Sequence, residues 1–155
     1  MTENSAAAAA LPWEDLVAAA HEAIRRAYAP YSCYPVGAAL LGRSGRVYTG
    51  CNVENASFPM SLCAERTAVC KAVADGERTY AALVVLSANG GTPCGACRQV
   101  LREFCEDLPI LVVSAAGERR LFCLSQLLPQ AFAPSDLPSS PVSGDAQCGQ
   151  GCCQG

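Results

Sequence analysis

The stretch that decides the fold is residues 81–104, AALVVLSANGGTPCGACRQVLREF. Its first part, residues 81–86, is a short continuous apolar run, which predicts a buried strand. The Gly-, Asn- and Pro-containing segment 88–93 predicts a loop, and residues 94–104 predict a helix. This succession puts the motif Pro93-Cys94-Gly95-Ala96-Cys97 where the loop enters the helix. Its two thiols, three residues apart, therefore share one face of the first helical turn.

The rest of the chain supplies helices and strands in an order that defines the fold class. Apolar residues recur at helical spacing between Trp13 and Tyr28, and two short runs joined by Gly42-Arg43-Ser44-Gly45 predict a hairpin. The predicted elements are a helix over 13–28, strands over 36–41 and 46–51, a helix over 64–74, the strand 81–86, the helix 94–104, strands over 111–114 and 120–123, and a short helix over 125–128. This order predicts an α/β fold, a three-layer α/β/α sandwich with a mixed five-stranded sheet.

Length and composition predict one domain. The chain has 155 residues, of which 51% are apolar and 16% charged, which suffices for a single core. We expect that domain over residues 11–134, between a disordered N-terminus at 1–10 and a disordered, cysteine-containing tail at 135–155 that is rich in Pro, Ser, Gly and Gln. The tail cysteines Cys148, Cys152 and Cys153 receive no role.

Charge and cysteine usage exclude several classes of partner. A net charge of −3 with scattered Lys and Arg argues against nucleic-acid binding. No apolar stretch is long enough to span a bilayer, and the alanine run at residues 6–10 lacks the preceding basic residues of a signal peptide. Because a chain of this size does not need a disulfide scaffold, we expect most of the eleven cysteines to be reduced. The prediction is a soluble cytoplasmic protein without a membrane or nucleic-acid partner.

Cys63-Ala64-Glu65 and the Cys94/Cys97 motif together predict a metal site. They offer three thiolates and one carboxylate, and three protein ligands leave Zn²⁺ an open fourth position, as in catalytic sites. Both motifs fall where a loop enters a helix, and the positive end of a helix dipole favours the thiolate form. Glu65 can then flank the metal without binding it.

Other readings of these cysteines stay open at this point. The Cys94/Cys97 pair alone fits a thioredoxin-like redox site about as well as a metal site. The third cysteine and the carboxylate favour metal, although a closed structural zinc site could recruit a fourth ligand from Cys51, Cys70 or Cys105. A noncatalytic zinc or dithiol module is therefore the rival from a different functional class.

Several ordered blocks between residues 28 and 137 resemble the cytidine deaminase family, in particular its small homotetrameric branch with three cysteine ligands. The blocks are Pro30-Tyr31-Ser32, Pro35-Val36-Gly37-Ala38-Ala39-Leu40, Gly50-Cys51-Asn52-Val53-Glu54-Asn55-Ala56, Cys63-Ala64-Glu65-Arg66-Thr67-Ala68, Pro93-Cys94-Gly95-Ala96-Cys97-Arg98-Gln99-Val100 and Leu127-Leu128-Pro129. The resemblance implies hydrolytic deamination of cytidine and 2′-deoxycytidine to uridine and 2′-deoxyuridine, with release of ammonia, in pyrimidine salvage.

The resemblance also implies roles for the metal-site residues. Cys63, Cys94 and Cys97 would bind Zn²⁺, whose hydroxide attacks C4 of the base, while Glu65 shuttles protons. Arg66 would donate hydrogen bonds to the ligand sulfurs and so reduce their electron donation to the metal.

Substrate contacts follow from the same resemblance. Asn52 and Glu54 match residues that hold the ribose hydroxyls, whereas the residues alone favour polar loop positions that form turns. The other implied substrate-binding positions are Tyr34, where the family usually has a Phe against the pyrimidine, Ala56, Phe58, which replaces a common Tyr, and Phe132, which resembles an aromatic supplied by a neighbouring subunit. Phe132 thus implies a homotetramer acting on a small nucleoside. A modified nucleoside, an aminopyrimidine antibiotic, a nucleotide and a polynucleotide are the alternative substrates.

Overall fold

A computed structural model of the protein describes residues 11–137, which form four helices, five strands and two short 3₁₀ turns. The elements are α1 (Trp13–Ile24), β1 (Val36–Gly42), β2 (Val47–Cys51), a 3₁₀ turn (Phe58–Met60), α2 (Ala64–Ala74), β3 (Tyr80–Ser87), α3 (Gly95–Phe104), β4 (Pro109–Ser114), β5 (Arg119–Cys123), α4 (Leu124–Leu127) and a second 3₁₀ turn (Pro134–Asp136). Every predicted helix and strand is present in the predicted order.

Helix α1 ends earlier than its apolar spacing predicts. The last helical residue is Ile24, whereas the periodicity continues to Tyr28. The Tyr28 N–H donates to the carbonyl of Asn52 over 3.0 Å, and Tyr28 forms an isolated bridge with Val53. This tertiary backbone pairing competes with helix continuation and overrides the local pattern.

The five strands form one mixed sheet in the order β2-β1-β3-β4-β5. Strands β3 and β4 are parallel, with Val84 opposite Leu111, and the other three pairs are antiparallel. Helix α3 makes the crossover that a parallel pair requires. The predicted mixed five-stranded sheet is confirmed.

Both faces of the sheet are covered, which explains why its central strands read as continuous apolar runs. In β1, Ala38 and Leu40 point to one layer, and Ala39 and Leu41 to the other. Helix α1 packs on the second face, and helices α2, α3 and α4 cover the first. The fold is therefore the predicted three-layer α/β/α sandwich.

Gly50 allows helix α2 to lie directly on strand β2. A Cβ atom at this position would come within 2.2 Å of the Ala64 carbonyl oxygen and 2.5 Å of the Ala68 nitrogen. Only a glycine permits such a close approach of backbone to backbone. The contact fixes the start of α2, and with it Cys63 and Glu65, beside the end of β2.

The predicted division of the chain stays a prediction. The described residues extend three positions beyond the expected boundary at 134, and segments 1–10 and 138–155, with the three tail cysteines, lie outside the described residues. Among the helices within residues 11–137, none has the length and apolar character needed to cross a membrane.

Candidate active site

Three cysteine sulfurs meet where two helices begin. Cys63 immediately precedes α2 and Cys94 immediately precedes α3, both with extended backbone and without a side-chain capping hydrogen bond. Cys97 is buried in the first turn of α3. The Cys94 sulfur lies 3.7 Å from that of Cys63 and 3.5 Å from that of Cys97, and all three sulfurs lie within 4.8 Å of one another.

This geometry fits a zinc ion. Thiolate ligands at about 2.3 Å from a tetrahedral Zn²⁺ stand about 3.8 Å apart, close to the observed separations. Soft thiolate ligands also suit zinc better than hard cations such as Mg²⁺ or Ca²⁺. No fourth His, Cys, Asp or Glu side chain within residues 11–137 belongs to the group. Of the cysteines considered for a closed site, Cys51 donates instead to the carbonyl of Arg26.

Hydrogen bonds make the three thiols chemically unequal. The Cys97 thiol, then the Arg66 guanidinium, lower the pKa of Cys63 to about 5, against the opposing effect of burial. The same hydrogen bond from Cys97 to Cys63, together with burial, raises the pKa of Cys97. Arg66 Nη2 lies 3.6 Å from the Cys63 sulfur and also donates to the Ser61 carbonyl over 3.0 Å. A thiolate and a neighbouring cation are thus built into the site.

Glu65 is a buried carboxyl group next to this cluster. It is the second residue of α2, is only 4% exposed and lines the same cavity as Cys63 and Cys94. Burial raises the pKa of Glu65, and the charge of Cys63 adds to the shift. The structure therefore brings Glu65 to the cysteines without making it part of the ligand group, as the sequence predicts.

A cavity of about 390 Å³ opens over Glu65 and the thiols of Cys63 and Cys94. Three predicted substrate-binding residues, Tyr34, Asn52 and Glu54, line it. Its complete lining is Ser32, Tyr34, Val36, Asn52, Glu54, Ser61, Leu62, Cys63, Glu65, Val85, Ser87, Gly91, Thr92 and Cys94. No Lys or Arg belongs to this lining, as far as the described residues show.

Asn52 is buried and organises the cavity wall. Its Oδ1 accepts from the Val36 N–H and its Nδ2 donates to the Tyr34 carbonyl, both over 2.9 Å. The amide therefore fixes the entry to β1. One N–H and one lone pair of the side chain remain for another partner.

Glu54 is held by the segment that precedes β1. Its carboxylate accepts from the N–H groups of Tyr31, at 2.9 Å, and Ser32, at 3.2 Å, and from the Ser32 hydroxyl. The Ser32 hydroxyl, followed by these backbone donors, lowers the pKa of Glu54 against the effect of burial. Glu54 is therefore an ionised acceptor at neutral pH.

The remaining predicted contacts lie outside the cavity. Phe58 is 69% exposed and lines an adjoining cavity, where its ring meets that of Tyr31 edge-on with centroids 5.7 Å apart. Ala56 is exposed and does not line the main cavity. Phe132 is 59% exposed, and its carbonyl accepts from Gln99 Nε2 at 2.9 Å.

Several cavity residues were not predicted from the sequence. Among them, Ser32 holds Glu54, and Ser87 Oγ accepts from the Gly91 N–H at 3.0 Å. Asn89, which is outside the lining, was not predicted either, and it accepts from the hydroxyl of the predicted residue Tyr34. Ser32 lies in the block Pro30-Tyr31-Ser32, so the resemblance contained a signal for it. The contact between Tyr34 and Asn89 joins residues 55 positions apart, which no local pattern predicts.

Comparisons with known proteins agree with this geometry. The family model described as "Cytidine and deoxycytidylate deaminase zinc-binding region" matches residues 12–112. A cytidine deaminase from Sporosarcina psychrophila is 47% identical over 127 residues, 80% of this chain and 93% of that protein. One from Mycobacterium tuberculosis is 44% identical over 128 residues, 81% of this chain and 93% of that protein.

Solved structures give the same result. The crystal structure of cytidine deaminase from Burkholderia pseudomallei matches with a TM-score of 0.76 and 43% identity, covering 79% of this chain and all of that one. The M. tuberculosis enzyme matches with a TM-score of 0.69 and 42% identity, covering 79% and 98% of the two chains. Fold, cysteine cluster and sequence similarity coincide over the same residues. The chain belongs to the cytidine and deoxycytidylate deaminase family of zinc-dependent hydrolases.

Proposed function

We propose that this enzyme hydrolyses cytidine and 2′-deoxycytidine to uridine and 2′-deoxyuridine with release of ammonia, in pyrimidine salvage. The observation that carries the proposal is a buried carboxyl group, Glu65, beside three zinc-binding thiols in a cavity that also contains Asn52 and Glu54. The cavity's volume of about 390 Å³ is in the range of small-molecule sites.

The reaction adds the oxygen of water to C4 of the base and breaks the bond from C4 to the exocyclic nitrogen. Cys63, Cys94 and Cys97 would hold Zn²⁺, which would supply a Lewis acid that makes water a better nucleophile near neutral pH. Glu65 takes one proton from the attacking water and delivers it to ring N3. It then takes the second proton from the hydroxyl group on C4 and delivers it to the amine, which departs as ammonia. One carboxyl group can serve as base and then as acid when both proton positions face the same cavity.

Arg66 adjusts the charge of the metal centre. Three thiolates around a divalent cation would leave a net negative site and so would weaken the Lewis acid. The Arg66 guanidinium, 3.6 Å from the Cys63 sulfur, draws electron density from that ligand. We therefore assign Arg66 as a positioning residue that keeps the zinc acidic.

Asn52 and Glu54 bind the sugar. Glu54 is ionised and accepts hydrogen bonds from hydroxyl groups, and the free N–H and lone pair of Asn52 can pair with a third group. A nucleotide phosphate would require a cationic partner, but the cavity lining of the described chain contains no Lys or Arg. We therefore assign an unphosphorylated nucleoside.

We further propose a homotetramer in which Phe132 of one subunit completes the cavity of another. Phe132 is 59% exposed and does not line the cavity of its own chain. Exposed apolar side chains also cluster in sequence before β1 and after β2, which favours burial against another copy. They are Tyr28, Tyr31, Val53, Phe58, Met60 and Leu62. The eight free cysteines of residues 11–137 accord with a reducing compartment, and we place the enzyme in the cytoplasm.

The decisive experiment follows the loss of cytidine absorbance with zinc-quantified protein. The wild-type enzyme should deaminate cytidine and 2′-deoxycytidine and leave cytidine monophosphate and single-stranded oligonucleotides unreacted. Glu65→Gln, which keeps the shape of the side chain, should retain zinc and lose turnover by about 10²- to 10⁴-fold. If the zinc-loaded wild type leaves both nucleosides untouched, the assignment fails. Turnover of cytidine monophosphate or of the oligonucleotides would then identify a nucleotide or polynucleotide deaminase.

A further inference from the structure

All three guanidinium nitrogens of Arg98 donate hydrogen bonds to acceptors of the same chain, and none of these acceptors is a thiol. Its Nε donates to the Pro93 carbonyl at 2.7 Å and its Nη2 to the Thr92 hydroxyl at 2.9 Å. Its Nη1 donates to the Leu127 carbonyl at 2.6 Å. All three nitrogens therefore hold backbone or loop groups of the same chain, each with a short, charge-assisted bond.

Hydrogen bonds of Arg98 restrain the backbone conformation of Cys94. The Pro93 carbonyl belongs to the peptide plane before Cys94, and the Cys94 carbonyl belongs to the plane after it. The Arg98 side chain holds the first, and the Arg98 N–H donates to the second over 3.0 Å. Fixing both planes fixes the two backbone dihedrals of Cys94 and therefore the direction of its Cα–Cβ bond, from which the sulfur extends.

Cys94 needs such support more than the other two sulfur positions. It is exposed, it caps α3 without a side-chain hydrogen bond, and a loop precedes it. Cys97, by contrast, is buried inside the helix, and Cys63 receives a donor from Arg66. Each arginine thus supports one cysteine: Arg66 contacts the sulfur of Cys63, whereas Arg98 restrains the backbone of Cys94.

The third bond connects the metal site to a distant segment. Leu127 ends α4, and Gln99, next to Arg98, holds the carbonyl of Phe132 at 2.9 Å. Adjacent residues of α3 therefore hold the two ends of the segment 127–132. The position of this segment and the position of Cys94 depend on the same side chain.

We propose that Arg98 is a positioning residue of the metal centre, which fixes Cys94 for zinc by tying residues 92–94 to the end of α4. The role concerns how the metal is held and is independent of the substrate. It rests on the proposed function only in taking Cys94 as a ligand.

The test is zinc transfer from the loaded protein to an excess of a chromogenic chelator. Arg98→Ala should release zinc about 10- to 100-fold faster than wild type, the range for lost supporting contacts at metal sites. Arg98→Lys should be intermediate, because an ammonium cannot reach three acceptors that a planar fork spans. Arg102→Ala is the matched control, since Arg102 follows one turn later and donates only to the Cys105 carbonyl at 3.4 Å. It should release zinc at the wild-type rate.

A second readout reports ligand geometry directly. With Co²⁺ in place of zinc, the sulfur-to-cobalt absorption bands should shift in both Arg98 variants and stay unchanged in Arg102→Ala. If Arg98→Ala does not fold, the test uses Arg98→Lys and Thr92→Val instead. Thr92→Val removes one acceptor of the Arg98 side chain without changing the shape of residue 92. Zinc release at the wild-type rate and unshifted cobalt bands in the folded Arg98 variants overturn the proposal. Cys94→Ser separates the two hypotheses, because wild-type zinc retention in that variant would instead refute Cys94 as a ligand.

Discussion

The metal cluster and the outer loop of this site are built in opposite ways. We call Cys63, Glu65, Cys94 and Cys97 the metal cluster, and residues 53–62 the outer loop. The cluster sits at two helix starts, and its members contact one another within the chain. The outer loop instead exposes its apolar side chains, with Phe58 at 69% and Met60 at 63%. The three thiols and Glu65 thus meet within one chain, whereas the outer loop presents apolar side chains at the surface.

The largest effect should come from breaking the metal cluster alone. Cys63→Ser replaces a soft thiolate that Arg66 stabilises with a hydroxyl, which binds zinc poorly. We expect zinc content far below one per chain, and kcat/KM at least about a thousandfold lower, the equivalent of about 4 kcal/mol of lost transition-state stabilisation. Metal analysis and the absorbance assay on the same preparation measure both quantities.

Cys70→Ser is the matched control for this change. Cys70 is an exposed cysteine of the same helix and lies outside the thiol group. It should keep zinc and activity. Equal activity of Cys63→Ser and Cys70→Ser would show that the cluster is not the reaction centre.

The next effect should come from the scaffold that carries the cluster. Gly50→Ala introduces a Cβ where the Ala64 carbonyl oxygen lies 2.2 Å away, so α2 must move from β2. Overpacking of this kind costs about 1 to 3 kcal/mol, which urea unfolding measures. Gly95→Ala meets no atom within 4 Å although it adjoins Cys94, and it should unfold at the wild-type midpoint. A Gly50 variant as stable as the Gly95 variant would contradict the close packing of α2 on β2.

A smaller effect should come from Phe132, the aromatic residue proposed to enter the cavity of a neighbouring subunit. Phe132→Ala should lower specific activity about tenfold at enzyme concentrations at which the wild type is assembled, with unchanged zinc content. The reason is that truncating a central interface aromatic costs about 1 to 2 kcal/mol or more of association or substrate binding. Activity against dilution, together with light scattering, measures the effect.

The control for Phe132→Ala is Leu137→Ala. Leu137 is similarly exposed, at 58%, and follows the second 3₁₀ turn. If both variants behave as wild type at every concentration, the proposed contribution of Phe132 to a neighbouring cavity is refuted, while the metal cluster is unaffected.

The same contrast explains what could be predicted from the sequence. The spacing of Cys94 and Cys97 places them in one helical turn. Cys63 precedes a helix whose start and whose end at Gly76 can both be predicted from the residues. The metal cluster was therefore predictable. The five strands were predictable because both faces of the sheet are buried, which produces unbroken apolar runs.

What the sequence did not show depends on contacts between distant segments. The amide of Asn52 is engaged with Tyr34 and Val36, across a turn of chain whose path no local pattern specifies. Tyr28 leaves α1 because Asn52 offers it a backbone partner. Likewise, the outward placement of Phe58 follows from the course of the outer loop and not from its residue type. These features belong to the tertiary structure, where local propensity is overridden.

Tyr34 lies between the two regions and should give the smallest effect. Its ring lines the cavity together with Asn52, and its hydroxyl donates to Asn89 in the loop before Cys94. Tyr34→Phe keeps the ring and removes that one hydrogen bond between neutral groups, which contributes about 1 kcal/mol. We expect a small loss of stability in urea unfolding and a kcat/KM within about threefold of wild type, because the ring that lines the cavity is kept. Tyr34→Ala, which removes the ring itself, should instead raise KM strongly.

A Tyr34→Phe enzyme as impaired as Tyr34→Ala would mean that the Tyr34 hydroxyl, through Asn89, organises the loop before Cys94. The metal cluster would then depend on the cavity wall as well as on its own helices.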